Sequence, residues 1–129
     1  MQLPKPKKKT SERKKLVARL DRVFSQYIRK RDERCVCCGA SENLQCGHLF
    51  SRNSYSTRWN ERNAFCQCAG CNYKHEFDAY PLTNYFLSIF DKDEYDALHT
   101  LYKTQVKYGN EVLEDLIAFY KDRLNESDL

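Results

Sequence analysis

Apolar residues recur at helical spacing near the start of the chain, between residues 11 and 33. Arginine and lysine separate them, and the apolar positions are Leu16, Val17, Leu20, Val23, Phe24, Tyr27 and Ile28. A period close to 3.6 residues places such side chains on one face of a helix. We therefore predict an amphipathic helix over residues 11–33, with a basic outer face.

The pattern changes after this helix. Residues 35–71 contain all seven cysteines and three of the four glycines, which is typical of metal knuckles, short strands and loops. A further helix is predicted after Cys71, ending before Pro81, and apolar positions return at helical spacing over residues 83–125. The sequence therefore predicts an α+β fold, with a small centre over residues 35–80 between an N-terminal basic helix and C-terminal helices.

The length of 129 residues is enough for one hydrophobic core, and we expect a single domain over residues 11–129. No apolar run is long enough to span a bilayer, and the first residues lack the apolar segment of a secretory signal. We therefore expect a cytoplasmic protein with no membrane partner. In that reducing compartment, an odd number of cysteines favours metal ligands and free thiols over disulfides.

Charge is distributed unevenly along the chain. Residues 1–34 carry thirteen Lys or Arg against four Asp or Glu, whereas residues 76–129 carry five against twelve. A basic front end favours a polyanionic partner, although a solvated basic face would have the same composition. Residues 1–10 contain two prolines and four lysines, so we predict a flexible basic arm. The cations that we expect to contact phosphates here are Lys7, Lys8, Lys9, Arg13 and Lys14.

Two Cys-x2-Cys pairs, Cys35 with Cys38 and Cys68 with Cys71, are separated by twenty-nine residues. Two such pairs can supply four thiolates to a tetrahedral zinc ion, and the glycine after the first pair lets backbone amides turn toward the sulfurs. We predict a structural zinc site at these four cysteines. In a chain with a limited core, the ion would contribute much of the folding free energy.

The remaining cysteines leave a second arrangement open. A two-zinc module would use Cys46 and His48 in one site. Its second ion would be bound by Cys66, Cys68, Cys71 and His75. Cys46 and Cys66 could equally be small buried apolar residues on adjacent strands, which is a common role for a lone thiol. The role of Cys37 stays open.

The other polar residues of the central region occur in a recognisable order. Gly47-His48 follows the first cysteine pair, Asn63 lies five residues before Cys68, and Asn72 comes directly after the second pair. This order resembles that of the HNH, or ββα-metal, nucleases. It is similar in particular to the phage recombination nucleases of the NinG (Rap) type, which are linked to Holliday-junction resolution.

Three motifs carry the likeness to the NinG type. They are the Gly-His pair, an Arg-aromatic-Asn-Glu-x-Asn run at residues 58–63, and a Gln-Cys-x2-Cys-Asn run at residues 67–72. The resemblance covers residues 35 to about 85. It implies a zinc-stabilised ββα-metal centre, in which a β-hairpin and the following helix enclose one Mg²⁺ or Mn²⁺ ion, and a DNA endonuclease that leaves 5′-phosphate ends. If the chain is encoded by a phage, its location is the bacterial host cell.

The resemblance also implies roles for individual residues. His48 would be the base that accepts a proton from water, and a histidine with an ordinary pKa near 6.5 suits that task. Asn63 would fix the loop that follows His48 or contact the cation. Asn72 would offer its carbonyl oxygen to the cation, and His75 or Glu76 would complete the ligand set.

One position departs from the pattern of many HNH nucleases. They have an aspartate metal ligand before the base histidine, whereas this chain has Gly47. The NinG type also has glycine there, which makes Asn72 the leading ligand. The loop between His48 and Asn63 contains three candidate phosphate-binding cations, and these are Arg52, Arg58 and Arg62.

We therefore predict a metal-dependent DNA endonuclease that selects structure over sequence, because no recognition helix is evident. Its partner would be branched or single-stranded DNA, and a homodimer would suit symmetric cutting of a junction. Two alternatives remain open: a zinc-stabilised DNA-binding or adaptor protein without catalysis, and a sequence-selective HNH endonuclease.

Overall fold

The computed structural model of the chain describes residues 3–4 and 11–126. Its elements follow the order α1 (Glu12–Asp32), β1 (Leu44–His48), α2 (Tyr55–Arg58), a 3-10 turn (Glu61–Asn63), β2 (Ala64–Cys68), α3 (Ala69–Lys74), α4 (Tyr80–Ile89), α5 (Lys92–Lys103) and α6 (Asn110–Glu126). The predicted α+β class is confirmed. The basic arm predicted over residues 1–10 lies outside the described residues, except for residues 3 and 4.

Helix α1 occupies the range that the apolar spacing predicts. Ser11 caps its first turn, because the Ser11 hydroxyl accepts a hydrogen bond of 3.2 Å from the backbone N–H of Lys14. At the other end Glu33 has a positive φ of 66°, and its N–H donates to the Arg29 carbonyl at 2.9 Å. A residue in this region of φ cannot continue a helix, so α1 ends here.

Strands β1 and β2 form an antiparallel hairpin. Its register runs from Leu44 opposite Cys68 to His48 opposite Ala64. Because successive side chains of a strand point to opposite faces, Cys46 and Cys66 share one face and Gly47 and Phe65 share the other. The hairpin thus has two distinct faces to cover.

A different helical layer covers each face. On one side α1 and α6 build a core that also includes Trp59 and Ala64. Its fully buried members from the two helices are Leu20, Phe24, Ile28 and Leu113. On the other side α4 and α5 pack on the hairpin through a second core, which consists of Leu49, Phe65, Leu82, Phe86 and Leu98. Each fully buried Leu or Phe contributes roughly 1.5–3 kcal/mol, so the two layers hold the hairpin firmly.

The boundary between α3 and α4 differs from the prediction. The helix after Cys71 ends at Lys74, and α4 already begins at Tyr80, with Pro81 in its first turn. Proline is favourable there because its missing N–H would have no partner in a first turn. The proline starts the next helix and does not mark the end of the previous one. Within the described residues, no helix combines the length and apolar character needed to cross a bilayer.

Candidate metal centre and adjoining cleft

Four cysteine sulfurs lie together at the end of the hairpin where β1 begins. The Sγ atoms of Cys35, Cys38, Cys68 and Cys71 are all within 4.8 Å of one another, and those of Cys38 and Cys68 are 3.7 Å apart. A tetrahedral zinc ion with Zn–S bonds of about 2.3 Å requires sulfur separations of roughly 3.8 Å. The donor set and its spacing therefore fit zinc, and these four cysteines could bind the ion.

Local backbone structure brings each cysteine pair into position. In the first pair the Cys35 N–H donates to the Ala40 carbonyl at 2.9 Å, and Gly39 provides the positive φ of 80° that the tight turn requires. In the second pair Cys68 caps α3, because its sulfur accepts a hydrogen bond from the N–H of Cys71 at 3.4 Å. Backbone hydrogen bonds from Val36 to Cys66 and from Ala69 to Asn43, both 2.9 Å, then fix the knuckles against the hairpin.

The other cysteines do not join this cluster. Cys46 and Cys66 lie opposite each other in the hairpin, on the face that packs against α1. Cys66 is fully buried, and burial raises the pKa of Cys46 to about 12, so both are neutral thiols. In the described part of the chain, the only group of His, Cys, Asp and Glu placed to hold a metal is the four-cysteine cluster. The two-zinc arrangement is therefore wrong.

A cleft of about 680 Å³ lies between the hairpin and α3. It is bordered by His48, Leu49, Ser51, Arg52, Asn72, Tyr73, His75 and Glu76, together with Gln45, Cys46 and Ala69. Helix α3 starts at the cysteine cluster and runs along the hairpin, so its residues meet those at the end of β1. The fold thus brings His48 and Asn72 to a common cleft, as predicted.

The ring of His48 is held in one orientation. Its Nε2 atom lies 2.9 Å from the backbone carbonyl oxygen of Arg58. Because a carbonyl can only accept, Nε2 carries the proton, and the lone pair of a neutral ring is at Nδ1. Burial lowers the pKa of His48 below its ordinary value of 6.5. The hydrogen bond to the Arg58 carbonyl raises this pKa, and the positive charge of Arg52 lowers it further. The imidazole is therefore neutral at neutral pH.

Packing explains why the residue before His48 is a glycine. A Cβ atom at Gly47 would lie 1.8 Å from Oε1 of Gln67, a side chain that is itself fully buried. Any larger residue at position 47, including an aspartate, therefore requires Gln67 to move. Gly47 makes room for Gln67, and this explains why the chain has no acidic metal ligand at position 47.

Asn63 lies beneath the loop that joins β1 to β2, and it is fully buried. Its Nδ2 donates to the carbonyls of Phe50 and Thr57 at 3.0 Å each, and its Oδ1 accepts from the N–H of Phe50 at 2.8 Å. All its polar atoms are occupied by backbone, so it has none left for a cation. Of the two roles proposed for Asn63, loop fixation agrees with this geometry and cation contact does not. It is a positioning residue.

Asn72 lies in α3 and borders the cleft. Its Nδ2 donates to Oε1 of Gln45 at 2.8 Å, which turns the amide and leaves its own Oδ1 available. An amide oxygen is a suitable ligand for a hard cation. Glu76 borders the same cleft with an exposed carboxylate. Asn72 and Glu76 are therefore the residues that fit a cation here.

His75 does not fit the role of cation ligand predicted for it. Its Nε2 lies 3.0 Å from the carbonyl oxygen of Leu49 and must donate to it. Its Nδ1 is buried and has no hydrogen-bond partner among the described residues. Neither ring nitrogen is open to the cleft in this arrangement, and His75 ties the end of α3 to the residue after β1.

Residues 2–128 match a family model described as the bacteriophage lambda NinG protein. The chain belongs to the NinG family. Membership of this family suggests a role in phage recombination. No curated protein and no solved structure matched the chain.

Two of the three loop arginines of this NinG-family chain are already paired. The guanidinium of Arg58 donates to both carboxylate oxygens of Asp21, at 3.1 and 2.6 Å. Arg62 forms an ion pair with Glu94 of α5 and lies 5.4 Å from the ring of Phe90. To contact phosphate as predicted, Arg58 and Arg62 would have to exchange these partners. Arg52 is exposed and borders the cleft, so it is the best placed of the three for that role.

The predicted cations of α1 also differ from one another. Arg13 donates to Oδ1 of Asn110 at 3.4 Å and lies over the ring of Tyr55, so it links α1 to α6. Lys14 is exposed and has no side-chain partner in the described part of the chain. Lys7, Lys8 and Lys9 lie outside the described residues. Of the two front-end cations that the structure describes, Lys14 is the one left available to a phosphate.

Sequence reasoning missed two residues of α1. Arg29 borders a recess of about 290 Å³ that adjoins the cleft and shares His48, Arg52 and Asn72 with it. Ser25 accepts from Nε of Arg29 through its backbone oxygen at 3.3 Å and its hydroxyl at 3.2 Å, and the two terminal amino groups have no hydrogen-bond partner among the described residues. Nothing in the sequence distinguishes Arg29 from the other arginines of the basic helix face.

Asp21 is the second missed residue. It binds Arg58, and it also accepts from the indole N–H of Trp59 at 2.9 Å. Asp21 thereby holds the chain segment whose carbonyl orients His48. The one available signal is an acidic residue in the middle of a helix whose other acidic residues lie at its two ends.

Proposed function

We propose that this NinG-family chain is a metal-dependent DNA endonuclease of the HNH type. Its reaction is the hydrolysis of phosphodiester bonds in branched recombination intermediates. The observation that carries the proposal is the orientation of His48, whose protonated Nε2 is engaged by Arg58 while the ring borders a cleft shared with Asn72. The association of the family with phage recombination supports the choice of substrate.

His48 acts as the general base. Its neutral ring accepts a proton at Nδ1 from the water that attacks phosphorus, and the positive charge formed on the ring is stabilised by the hydrogen bond from Nε2 to Arg58. Asp21 and Asn63 keep the surrounding loop in place but do not contact the substrate. A base whose orientation is set before substrate binds loses little entropy in the reaction.

Asn72 and Glu76 would hold the catalytic Mg²⁺ or Mn²⁺. When bound, the cation would supply positive charge to the phosphoryl oxygen and the leaving 3′-oxygen, consistent with a 5′-phosphate product. Gln45 orients the Asn72 amide so that its oxygen remains available. With only these two protein ligands, water would have to supply the remainder, as is usual for Mg²⁺ in proteins.

Arg52 and Arg29 bind the phosphates on either side of the cut bond. They border the same continuous space as His48 but belong to different elements, the loop after β1 and helix α1. Guanidinium groups bind phosphate through paired N–H donors. Because these contacts involve the DNA backbone, they add affinity that depends on salt and little sequence preference.

The test is cleavage of a four-way junction and of supercoiled plasmid in Mg²⁺ or Mn²⁺. We expect preferential junction cleavage, and His48→Ala should lower the rate by roughly 10²–10⁴-fold. His99→Ala is the matched control, because His99 packs on Phe50 outside the cleft and its loss should leave the rate within a fewfold. Discrete plasmid fragments would indicate a sequence-selective enzyme instead.

A second candidate is a zinc-stabilised DNA-binding protein without catalysis. It is favoured by one observation: among the described residues, no second cluster of His, Cys, Asp and Glu accompanies the zinc cysteines. Binding of the junction without cleavage in either metal would support this candidate and reject the nuclease.

A further inference from the structure

Three aromatic side chains are exposed to solvent: one in α3, one in the segment that follows it and one at the start of α4. Tyr73, Phe77 and Tyr80 are exposed by 66%, 73% and 70%. Aromatic rings of this size are normally buried in a core or an interface, so a local group of exposed rings marks a binding surface. They lie beyond both hydrophobic cores of the fold.

Two of these rings form a preassembled pair. Tyr73 and Phe77 meet edge to face, with centroids 5.3 Å apart and planes at 64°. The N–H of Phe77 donates to the carbonyl of Lys74 at 3.0 Å, which continues the turn beyond the end of α3. Rings that already support each other lose little conformational freedom when a ligand binds.

The pair is continuous with the catalytic cleft. Tyr73 directly follows Asn72 in α3, and both border the cleft together with His48. A DNA strand whose phosphate lies at His48 therefore brings a neighbouring base within reach of Tyr73. Lys74 lies between the two rings in sequence and adds a positive charge for the phosphate backbone.

We propose that Tyr73 and Phe77 stack on an unpaired base of the bound DNA, and that this contact selects branched or single-stranded substrates. The inference rests on the proposed function, because it requires a DNA strand in the cleft. Inside a duplex each base is covered on both faces by its neighbours. Only a base at a branch point, a frayed end or a single strand presents a free face to an aromatic ring.

The chemistry of the surface favours a base over a protein partner. Tyr73 borders a cleft lined mainly by polar side chains, including Arg52, whereas a protein interface of standard size needs a broad apolar centre. Aromatic rings beside a positively charged strand path are the arrangement that single-stranded DNA-binding proteins use. The rival occupant is a second copy of this chain, and sedimentation velocity would detect the resulting dimer.

The test measures binding without cleavage, in the His48→Ala background. Affinity is measured for a duplex, a single strand and a four-way junction of matched length, with 2-aminopurine at the branch point as a fluorescent base. Tyr73→Ala and Phe77→Ala should each weaken binding of the single strand and the junction by roughly 5- to 150-fold. Duplex affinity should change less than about twofold, because it has no free base face to stack on.

Two further variants act as controls. Tyr73→Phe keeps the ring and should retain both affinity and quenching of 2-aminopurine, which Tyr73→Ala should abolish. Phe119→Ala removes an aromatic that is 46% exposed on α6, and it should change neither. Unchanged thermal unfolding of the exposed-site variants would show that they remain folded.

Three results would overturn the inference. The first is an equal loss of affinity for duplex and single strand in the alanine variants, and the second is no loss of affinity with either variant. The third is a dimer in sedimentation velocity that Tyr73→Ala dissociates. Cleavage by the wild-type chain is scored separately. If wild-type protein cuts nothing but quenches 2-aminopurine through Tyr73, the nuclease proposal fails and the stacking proposal stands.

Discussion

The two ends of the β1–β2 hairpin are built by different means. At the end where Leu44 pairs with Cys68, four sulfurs from two local knuckles gather within 4.8 Å. At the end where His48 pairs with Ala64, a loop of fifteen residues returns the chain to β2, and hydrogen bonds between distant residues hold it. The first end (the zinc end) depends on short-range spacing and can bind an ion, whereas the second (the cleft end) depends on long-range packing.

This difference separates stability from chemistry along one small hairpin. The zinc end needs little from the rest of the molecule beyond the approach of two short segments. The cleft end needs α1, because Asp21 holds Arg58, whose carbonyl orients His48. Loss of the ion should therefore act mainly on folding, whereas changes around the loop should act on folding and on the orientation of His48 together.

The largest expected effect comes from removing zinc. Cys35→Ser should lose the ion and most of the stability of the zinc end, because structural zinc sites contribute roughly 10 kcal/mol or more of apparent free energy. Zinc content by elemental analysis and thermal unfolding would measure this. Cys37→Ser is the matched control: it lies in the same knuckle but outside the cluster, and it should retain one zinc per chain. Equal zinc content in both variants would contradict the assignment.

The next effect is expected at the cleft end, from Asn63→Ala. The change leaves backbone groups of Phe50 and Thr57 without partners, and we expect a loss of roughly 3 kcal/mol of unfolding free energy. Denaturant unfolding would measure it, with zinc content unchanged. Asn60→Ala is the control in the same loop, since Asn60 caps only the N–H of Arg62 and should cost about 1 kcal/mol. Release of zinc by Asn63→Ala would contradict the claim that the two ends are stabilised by different means.

A smaller effect is expected from Gly47→Ala, in the middle of the hairpin. The new Cβ would collide with Gln67, and overpacking of this kind costs roughly 1–3 kcal/mol. Gln67→Ala should recover part of that loss in the double variant, as measured in a double-mutant cycle. Gly70→Ala is the control, because nothing lies within 4 Å of its Cβ position in α3. Additive losses in the double variant would argue against the contact with Gln67.

The smallest expected effect is the pH dependence of His48. Because burial lowers its pKa, the neutral ring persists as pH falls through 6.5 and is protonated only below that value. The acid limb of junction cleavage, and the titration of His48 by NMR, should therefore have midpoints below 6.5. Arg52→Gln removes a charge that also lowers this pKa, so it should move the midpoint upward. A midpoint at or above 6.5 in the wild-type chain would refute this account of His48.

The same contrast explains what could be predicted from the sequence. The range of α1 followed from apolar spacing and the zinc ligands from two short motifs, because both signals lie within a few residues. The likeness of the central motifs to the NinG type agreed with the family match over residues 2–128. The start of α4 was misjudged because Pro81 can either end a helix or begin one.

The roles of single side chains were harder to predict. Arg58 and Arg62 were read as phosphate ligands because their charge is visible in sequence, but their partners Asp21 and Glu94 lie more than thirty residues away. His75 was predicted as a ligand because it lies one helical turn after Asn72, but its bond to the Leu49 carbonyl appears only when α3 packs on the hairpin. Charge and spacing show that a residue can bind a ligand, and packing decides whether it is already occupied.

By itself, the sequence determined the α+β class, the long basic helix and the four cysteines that can bind zinc, since each depends on local periodicity or spacing. Only the tertiary structure decided that His48 donates through Nε2, that the polar atoms of Asn63 are all bonded to backbone, and that Arg29 borders the recess beside His48. The physical reason is that hydrogen bonds and burial act between atoms in space, and the spacing of residues 6 to 40 positions apart does not reveal those contacts.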